Sequence, residues 1–547
     1  AVLSVCCQSV VQAADRQTSC GRMIIELLIG LAVTLGSIYL YLTNTYDYWK
    51  KRGVVFINPT FPLGNLHDQF FGKADVGTIL QRSYTQHKGM GLKYVGSFTI
   101  RDPTIMLIDL DLCKQVLTKD FSHFTTRNFT VTTHEYLTKH LFALEGQEWK
   151  EMRTKLTPTF TSGKMKNMFQ LMGKCADQLQ AHIDKVVLQT GEFEVKDLIA
   201  RFTTDIIATC AFGLEVNSIE DRDDEFFRVG QLIFVPKRLS FVKFMLHRTF
   251  PAVARAIKLD LMNQRISEVL MRIMKDTIEY RKNNNVVRND FVELLMKVRE
   301  NKSLEDEEDH ATTGSRPFNK LPNKLQSHTK EQLTLEEMAA QAFVFFAAGF
   351  ETAASTTSFC LYELAKSPPV QERLQREIDE VLSKHDNKIT YQALQDMTFM
   401  DQVVNETLRM YASLPVLTRV CTETYQFPGT DLVIEKGIRV FIPTYAIHHD
   451  PDIYPNPYTF NPDRFSEENS RGRHHYAFLP FGEGPRICIG MRFGRLQVKI
   501  GLAAILSRYQ LSPAPDTPSK LELNPLMAFT TAKDPYRLKI TRRTEKL

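Results

Sequence analysis

The sequence predicts a mainly α-helical protein with a smaller β-rich part and one N-terminal transmembrane helix. Three observations carry this reading. A twenty-residue apolar run extends from Met23 to Leu42. Helical patterning then dominates to about residue 415, with short β-like runs at Tyr94–Thr99, Ile105–Asp109 and Arg439–Pro443. Finally, the stretch Phe481–Gly490, FGEGPRICIG, sets one cysteine in a glycine-flanked turn just before an apolar helical segment.

As a helix, the run MIIELLIGLAVTLGSIYLYL is ~30 Å long, enough to cross a bilayer. Its one charge, Glu26, sits near an end where it reaches the headgroups. Trp49, Lys50, Lys51 and Arg52 follow, an aromatic and basic cluster that places the C-terminal part in the cytosol. A cleaved signal peptide is the weaker reading, because the run is long and lacks a small-x-small cleavage site. The sequence begins with Ala1, and Met23 is its first methionine. Met23 is therefore the expected native start, with residues 1–22 a non-native extension. Residues 43–66 form a basic linker stiffened by Pro59 and Pro62. Residues 67–547 make up the large domain.

Thr334 and Glu337 make a capping box that opens an unusually long helix to about Ala365. Ser367 with Pro368 starts the next one. Residues 301–331 read as a polar, solvated insertion. Phe234–Phe250 mixes large apolar residues with Lys237, Arg238, Lys243 and Arg248. It reads equally as a second membrane contact or as an amphipathic surface helix.

A net charge of +5 over 547 residues does not suggest nucleic acid. Nine scattered cysteines form no disulfide framework and fit a reducing compartment.

Cys488 is a candidate axial ligand for haem iron, since thiolate donation favours O–O cleavage. Gly484 and Gly490 lack a Cβ, so the backbone can bend tightly and approach a flat macrocycle. The positive end of the following helix is expected to lower the thiol pKa. Arg486 can reach a propionate, and Phe481 can pack beside the ring. Most free cysteines are inert core residues. The pattern Phe-x-x-Gly-x-Arg-x-Cys-x-Gly, however, has a chance-match probability of only ~10⁻⁴ in this length. Zinc is excluded here because no second ligand has the spacing.

This stretch resembles the haem-binding signature of the cytochrome P450 family. The resemblance runs from Met23 to the C-terminal end and implies the P450 fold with haem b, iron protoporphyrin IX. Ala347-Ala348-Gly349-Phe350-Glu351-Thr352 matches the family's oxygen-activation motif, with Ala353 where Thr or Ser is common. Gly349 is then expected to open space above the haem, Thr352 to hydrogen-bond oxygen or a water, and Glu351 to carry protons inward. Glu406 and Arg409 match the Glu-x-x-Arg pair, completed by Arg464 of Pro462-Asp463-Arg464-Phe465 as a folding element. The resemblance makes Trp149, Arg153 and Arg419 propionate contacts beside Arg486.

No flavin or nicotinamide fold is legible, so electrons come from a partner. The resemblance implies an NADPH–cytochrome P450 reductase on the endoplasmic reticulum membrane, with cytochrome b5 as a second candidate donor. Arg492, Arg495, Lys499, Lys150 and Lys155 form the expected basic docking face. Residues 124–144, 342–349, 414–417 and 527–531 are mostly apolar or small and suit a lipophilic substrate. AQAFVFFAAGFET and FGEGPRICIGMRFG look most like the insect microsomal branch that handles xenobiotics. The expected reaction inserts one atom of O2 into such a substrate. An isomerase or dehydratase, or a non-catalytic ligand-binding haem protein, stays open at this point.

Overall fold

A computed structural model describes residues 2–543 apart from 128, 130, 133, 235–237, 289 and 301–331; side chains are described from Met23 onward, without those of 238 and 240. The expected insertion at 301–331, the side chains of the expected extension at 1–22, and Lys237 lie outside the described residues. The chain divides into two compact units, residues 1–67 with 95–105, and residues 68–94 with 106–547.

The first unit holds the helix Val2–Thr43. Within it, Met23–Thr43 is 21 residues long with a mean hydropathy of 2.1 and is exposed from Met23 to Tyr41, so it is long and apolar enough to cross a membrane. Lys50, Lys51 and Arg52 are exposed beyond it, as the orientation argument needs. Trp49 is not an interfacial side chain, however. It is fully buried, and its Nε1 donates to the Ser97 carbonyl at 3.1 Å. A Cβ on Gly96 would meet the indole at 2.6 Å, so this glycine is what lets strand and ring pack together. The Trp49 contribution to the interface reading is thereby corrected.

Strands run over Tyr94–Thr99 and Asp102–Leu107. The second begins three residues earlier than its hydrophobic pattern suggests, because Pro103 is tolerated near a strand's start.

In the second unit the helix Leu335–Lys366, the central helix below, runs through the core. Its capping box forms in both directions: Glu337 N donates to Thr334 Oγ1 at 3.1 Å, and Thr334 N donates to Glu337 Oε2 at 2.8 Å. Ser367 and Pro368 do open the helix Pro368–Ser383, although the Ser367 side chain makes no capping bond. Around the central helix pack Val195–Ile207, Thr398–Met410 and Met491–Leu506. The β-rich part is small. Leu417–Val420 pairs antiparallel with Arg439–Ile442, and Arg537–Arg542 lies between Glu192–Glu194 and Tyr509–Pro513. The mainly α architecture with minor sheets is the one the sequence predicts.

Candidate haem-thiolate site

The cysteine loop is closed by its own backbone. Cys488 N donates to the Phe481 carbonyl at 3.0 Å, and Ile487 N to the Gly484 carbonyl at 2.9 Å. Gly484 sits at φ +76°, and a Cβ there would lie 1.9 Å from the Leu117 carbonyl oxygen. The glycine is thus required by the neighbouring chain rather than by a macrocycle. Gly490 has ordinary φ and more room; it caps the helix Met491–Leu506 and turns its N–H toward the Cys488 sulfur. Cys488 is solvent-accessible while the five other described cysteines are buried.

Burial nevertheless pushes the Cys488 thiol above its ordinary pKa, against the pull of the Gly490 N–H, Arg153 and Arg127. Accessible surface and heavy desolvation coexist when a group borders an enclosed space inside the protein. The expectation that the helix end lowers the thiol pKa is corrected: desolvation outweighs it. A thiolate here needs a further positive partner, such as iron.

Four guanidinium groups surround this loop. Arg486 is buried; Nε donates to the Thr125 carbonyl at 3.0 Å, Nη2 to the Leu144 carbonyl at 2.7 Å, and Nη1 has no acceptor. Its plane lies 4.1 Å over the Trp149 ring. Arg419 is buried with Nε unpartnered. Arg153 lies one turn after Trp149 on the helix Gly146–Leu156. Arg127, which the sequence reading missed, donates to the Arg486 carbonyl at 2.7 Å and stacks on Phe142.

Among the described residues no carboxylate forms an ion pair with any of the four, although Glu145 acts on Arg486 from an exposed position. Burial, then mutual repulsion, drives Arg486 down to about 9, and burial drives Arg127 to about 10. Arg153 and Arg419 move the same way. Buried cations without counterions are unfavourable unless an anion completes them. A thiol and four guanidiniums without carboxylate partners, gathered around one loop, match a planar iron ligand bearing two carboxylates. The donor set therefore fits haem.

The central helix is buried along both ends, yet Ala348 is exposed at its middle and Thr352, one turn on, is partly exposed. They share a face toward open space. Thr352 Oγ1 donates to the Ala348 carbonyl at 2.5 Å, leaving the oxygen's lone pairs to accept from a water. Gly349 does not open that space. A Cβ on it would meet Ile207 Cδ1 at 2.3 Å, so the glycine permits close approach of the helix Val195–Ile207. Glu351 is buried and turned to that same neighbour: its carboxylate accepts from Lys196 Nζ at 2.7 Å and from Ser355 Oγ at 3.1 Å. Lys196 is a second residue the sequence reading missed. No direct contact joins Thr352 to the cysteine loop; each borders open space.

The expected ion network forms. Glu406 accepts from Arg409 Nε at 2.7 Å and Nη2 at 2.8 Å, from Arg464 Nε at 3.3 Å and from Asn461 N at 3.0 Å. Of the expected basic face, Lys150 and Arg492 are exposed and Lys155 half-buried. Lys499 is buried and bonded to Asp401 at 3.0 Å, and Arg495 bonds Asn405 at 2.5 Å, so neither presents a free charge. An aromatic cluster touches two of the four expected pocket segments through Phe346 and Phe529: Phe350 meets Phe346 at 5.9 Å and stacks on Phe234 at 5.7 Å, and Phe234 meets Phe529 edge-on at 6.0 Å. A separate polar cleft of about 520 Å³, lined by Asp452, Arg464, Asn469, Arg471 and His474, lies away from this chemistry. Its size is no guide to the catalytic site, because it is open and polar.

Comparison with known proteins agrees with this geometry. The cytochrome P450 family model matches residues 70–540. Probable cytochrome P450 6a14 of Drosophila melanogaster is 42% identical over 519 residues, covering 94% of this chain and 98% of the relative. Cytochrome P450 6a8 of the same species is 38% identical over 94% of the chain and 98% of its own length. Cytochrome P450 6k1 of Blattella germanica is 39% identical over 93% and 95%. A match of this extent, on a chain that sets one accessible cysteine among unpaired arginines, establishes that the protein belongs to the cytochrome P450 family and is a monooxygenase of that family.

Proposed function

We propose that this monooxygenase is held in the endoplasmic reticulum membrane by Met23–Thr43 and hydroxylates lipophilic small molecules, xenobiotics among them. One observation carries the site assignment: unpaired, desolvated guanidinium groups beside an accessible cysteine. In this reading Cys488 holds the haem iron, and Arg127, Arg153, Arg419 and Arg486 hold the propionates with Trp149. Haem bound in this way supplies reductive cleavage of O2, so that substrate R–H, O2, NADPH and a proton yield R–OH, water and NADP⁺.

The protein's own residues do the rest. The hydroxyl of Thr352 positions a water through its free lone pairs. Glu351, anchored by Lys196 next to partly exposed surface, connects that region to solvent protons. Phe234, Phe350 and Phe529 line the substrate side and exclude water. Lys150, Lys155 and Arg492 form a reduced basic face for an NADPH–cytochrome P450 reductase, with cytochrome b5 as a further donor. Leu239, Val242, Val253, Ile257 and Phe71 are large, apolar and exposed, which supports a second membrane contact. Lys243 does not join it as a free charge, because its Nζ donates to the Asp260 carbonyl at 3.0 Å.

The test is product labelling. Membranes containing the protein and a competent reductase, given NADPH and ¹⁸O₂, should yield product with one ¹⁸O per turnover. Product without label would assign the site to isomerisation or dehydration instead.

A further inference from the structure

Around the central helix, one side chain outside the haem and oxygen machinery is built for recognition. Gln341 of that helix is fully buried and clamps the backbone on both sides of His140. Its Oε1 accepts from Leu141 N at 2.8 Å, and its Nε2 donates to the Lys139 carbonyl at 3.2 Å. The imidazole between those two anchors packs on Phe343 with ring centroids 5.9 Å apart. Ala143 N–H is shared between the His140 carbonyl at 2.9 Å and Nδ1 at 3.3 Å. Nδ1 is therefore an acceptor, and the ring proton belongs on Nε2. Among the described residues nothing accepts that proton.

His140 keeps accessible surface, yet burial pushes its imidazole down to about 4. The imidazole is thus half-buried, packed against Phe343 with part of the ring accessible. The ring is neutral at physiological pH, and its Nε2–H is a fixed donor beside the Phe343 ring.

We propose that His140 is a specificity-determining residue whose Nε2–H donates a hydrogen bond to an acceptor oxygen, a carbonyl, ester or lactone, on a lipophilic substrate. The clamp by Gln341 is what makes the donor effective, because little freedom is left to lose when the bond forms. A hydrocarbon of the same shape leaves the N–H unpaired in a dry site and binds less well. This rests on the haem-monooxygenase reading only in taking the accessible edge of the imidazole to face the substrate pocket.

The probes are 9-fluorenone and fluorene, rigid and alike in shape, one with a carbonyl oxygen and one without. Affinities are measured on the full-length, haem-loaded protein in detergent by the ligand-induced change in the haem spectrum, and in parallel by equilibrium dialysis. Wild type should prefer fluorenone by about 5- to 10-fold. In His140→Phe the preference should fall to about one, while His140→Gln, which keeps an N–H near the same place, should retain part of it. The ratio of ratios cancels the solvation difference between the probes and isolates the imidazole. His140→Leu gives the same comparison if the Phe variant does not accumulate. A fluorenone-to-fluorene affinity ratio left unchanged by both His140→Phe and His140→Leu overturns the proposal. A wild-type protein without a thiolate-type carbon monoxide spectrum refutes the haem reading instead, so the two failures are distinguishable.

Discussion

Replacing Glu406 by Gln tests whether the buried ion network is as important to the fold as its geometry implies. Glu406 and Arg409 are fully buried, and the Arg464 side chain is 10% exposed. Glu406 accepts four hydrogen bonds, three from guanidinium nitrogens at 2.7, 2.8 and 3.3 Å and one from Asn461 N. At an effective dielectric of about 20, a charge pair ~4 Å apart is worth about 4 kcal/mol, before desolvation is subtracted. Gln is nearly isosteric, so packing survives. It leaves two guanidiniums without a counterion and turns an amide N–H₂ toward one of them.

Breaking such a pair costs about 3–5 kcal/mol, a large fraction of the 5–15 kcal/mol that holds a typical domain together. The assay is urea unfolding of haem-loaded protein, followed by circular dichroism and haem absorbance together. The single variant should lose about 3–5 kcal/mol. The double variant Glu406→Leu/Arg409→Met should lose much less than the sum of the two single changes, because only Arg464, which keeps some contact with solvent, is left without its counterion. A loss under about 1 kcal/mol in the single variant, or strict additivity in the double, would refute the reasoning.

Further predictions follow from other contacts. Gly349→Ala should destabilise by about 1–3 kcal/mol in thermal melts, since its methyl meets Ile207 Cδ1 at 2.3 Å. Ile207→Val removes that atom and leaves only Cγ1 at 3.1 Å, so in its background the same change should cost much less, with helix propensity favouring alanine. Asp205 is fully buried, with one oxygen bonded to Ser218 and the other unpartnered. Burial raises its carboxyl to about 6. The folded state thus holds this proton more tightly than the unfolded state, and the resulting stabilisation is present at low pH and lost as pH rises through about 6. Denaturant midpoints at pH 4.5 and 7.5 should show wild type losing about 2 kcal/mol relative to Asp205→Asn; parallel profiles would contradict this. Arg127→Leu should speed haem transfer to a haem-accepting protein by about tenfold, as expected from losing one charged hydrogen bond.

What the sequence made legible was local. The cysteine loop, the Thr334–Glu337 box and the Glu406–Arg409 pair lie within a few residues, so their spacing fixes their geometry. What it hid depends on where distant segments meet. Arg127 carries no spacing pattern, and only folding brings it to the Arg486 carbonyl 359 positions away. Lys196 meets Glu351 across 155 positions. Lys499 reads as a surface cation, but it lies on the buried stripe of its helix and reaches Asp401 instead of a partner protein. Gly349 sits within a motif that suggests a haem-facing role, whereas the structure uses it against Ile207. The cysteine pKa shows the same limit: a helix end is visible in sequence, and desolvation is not.

The most direct test of the account is a reduced carbon monoxide difference spectrum of membranes expressing the protein, with Cys488→Ala alongside. The account predicts a red-shifted, thiolate-type band in the wild type and its loss in the variant. Haem-loaded, folded wild-type protein without that band, or a variant that keeps it, would contradict the assignment of Cys488 and the oxygen chemistry built on it.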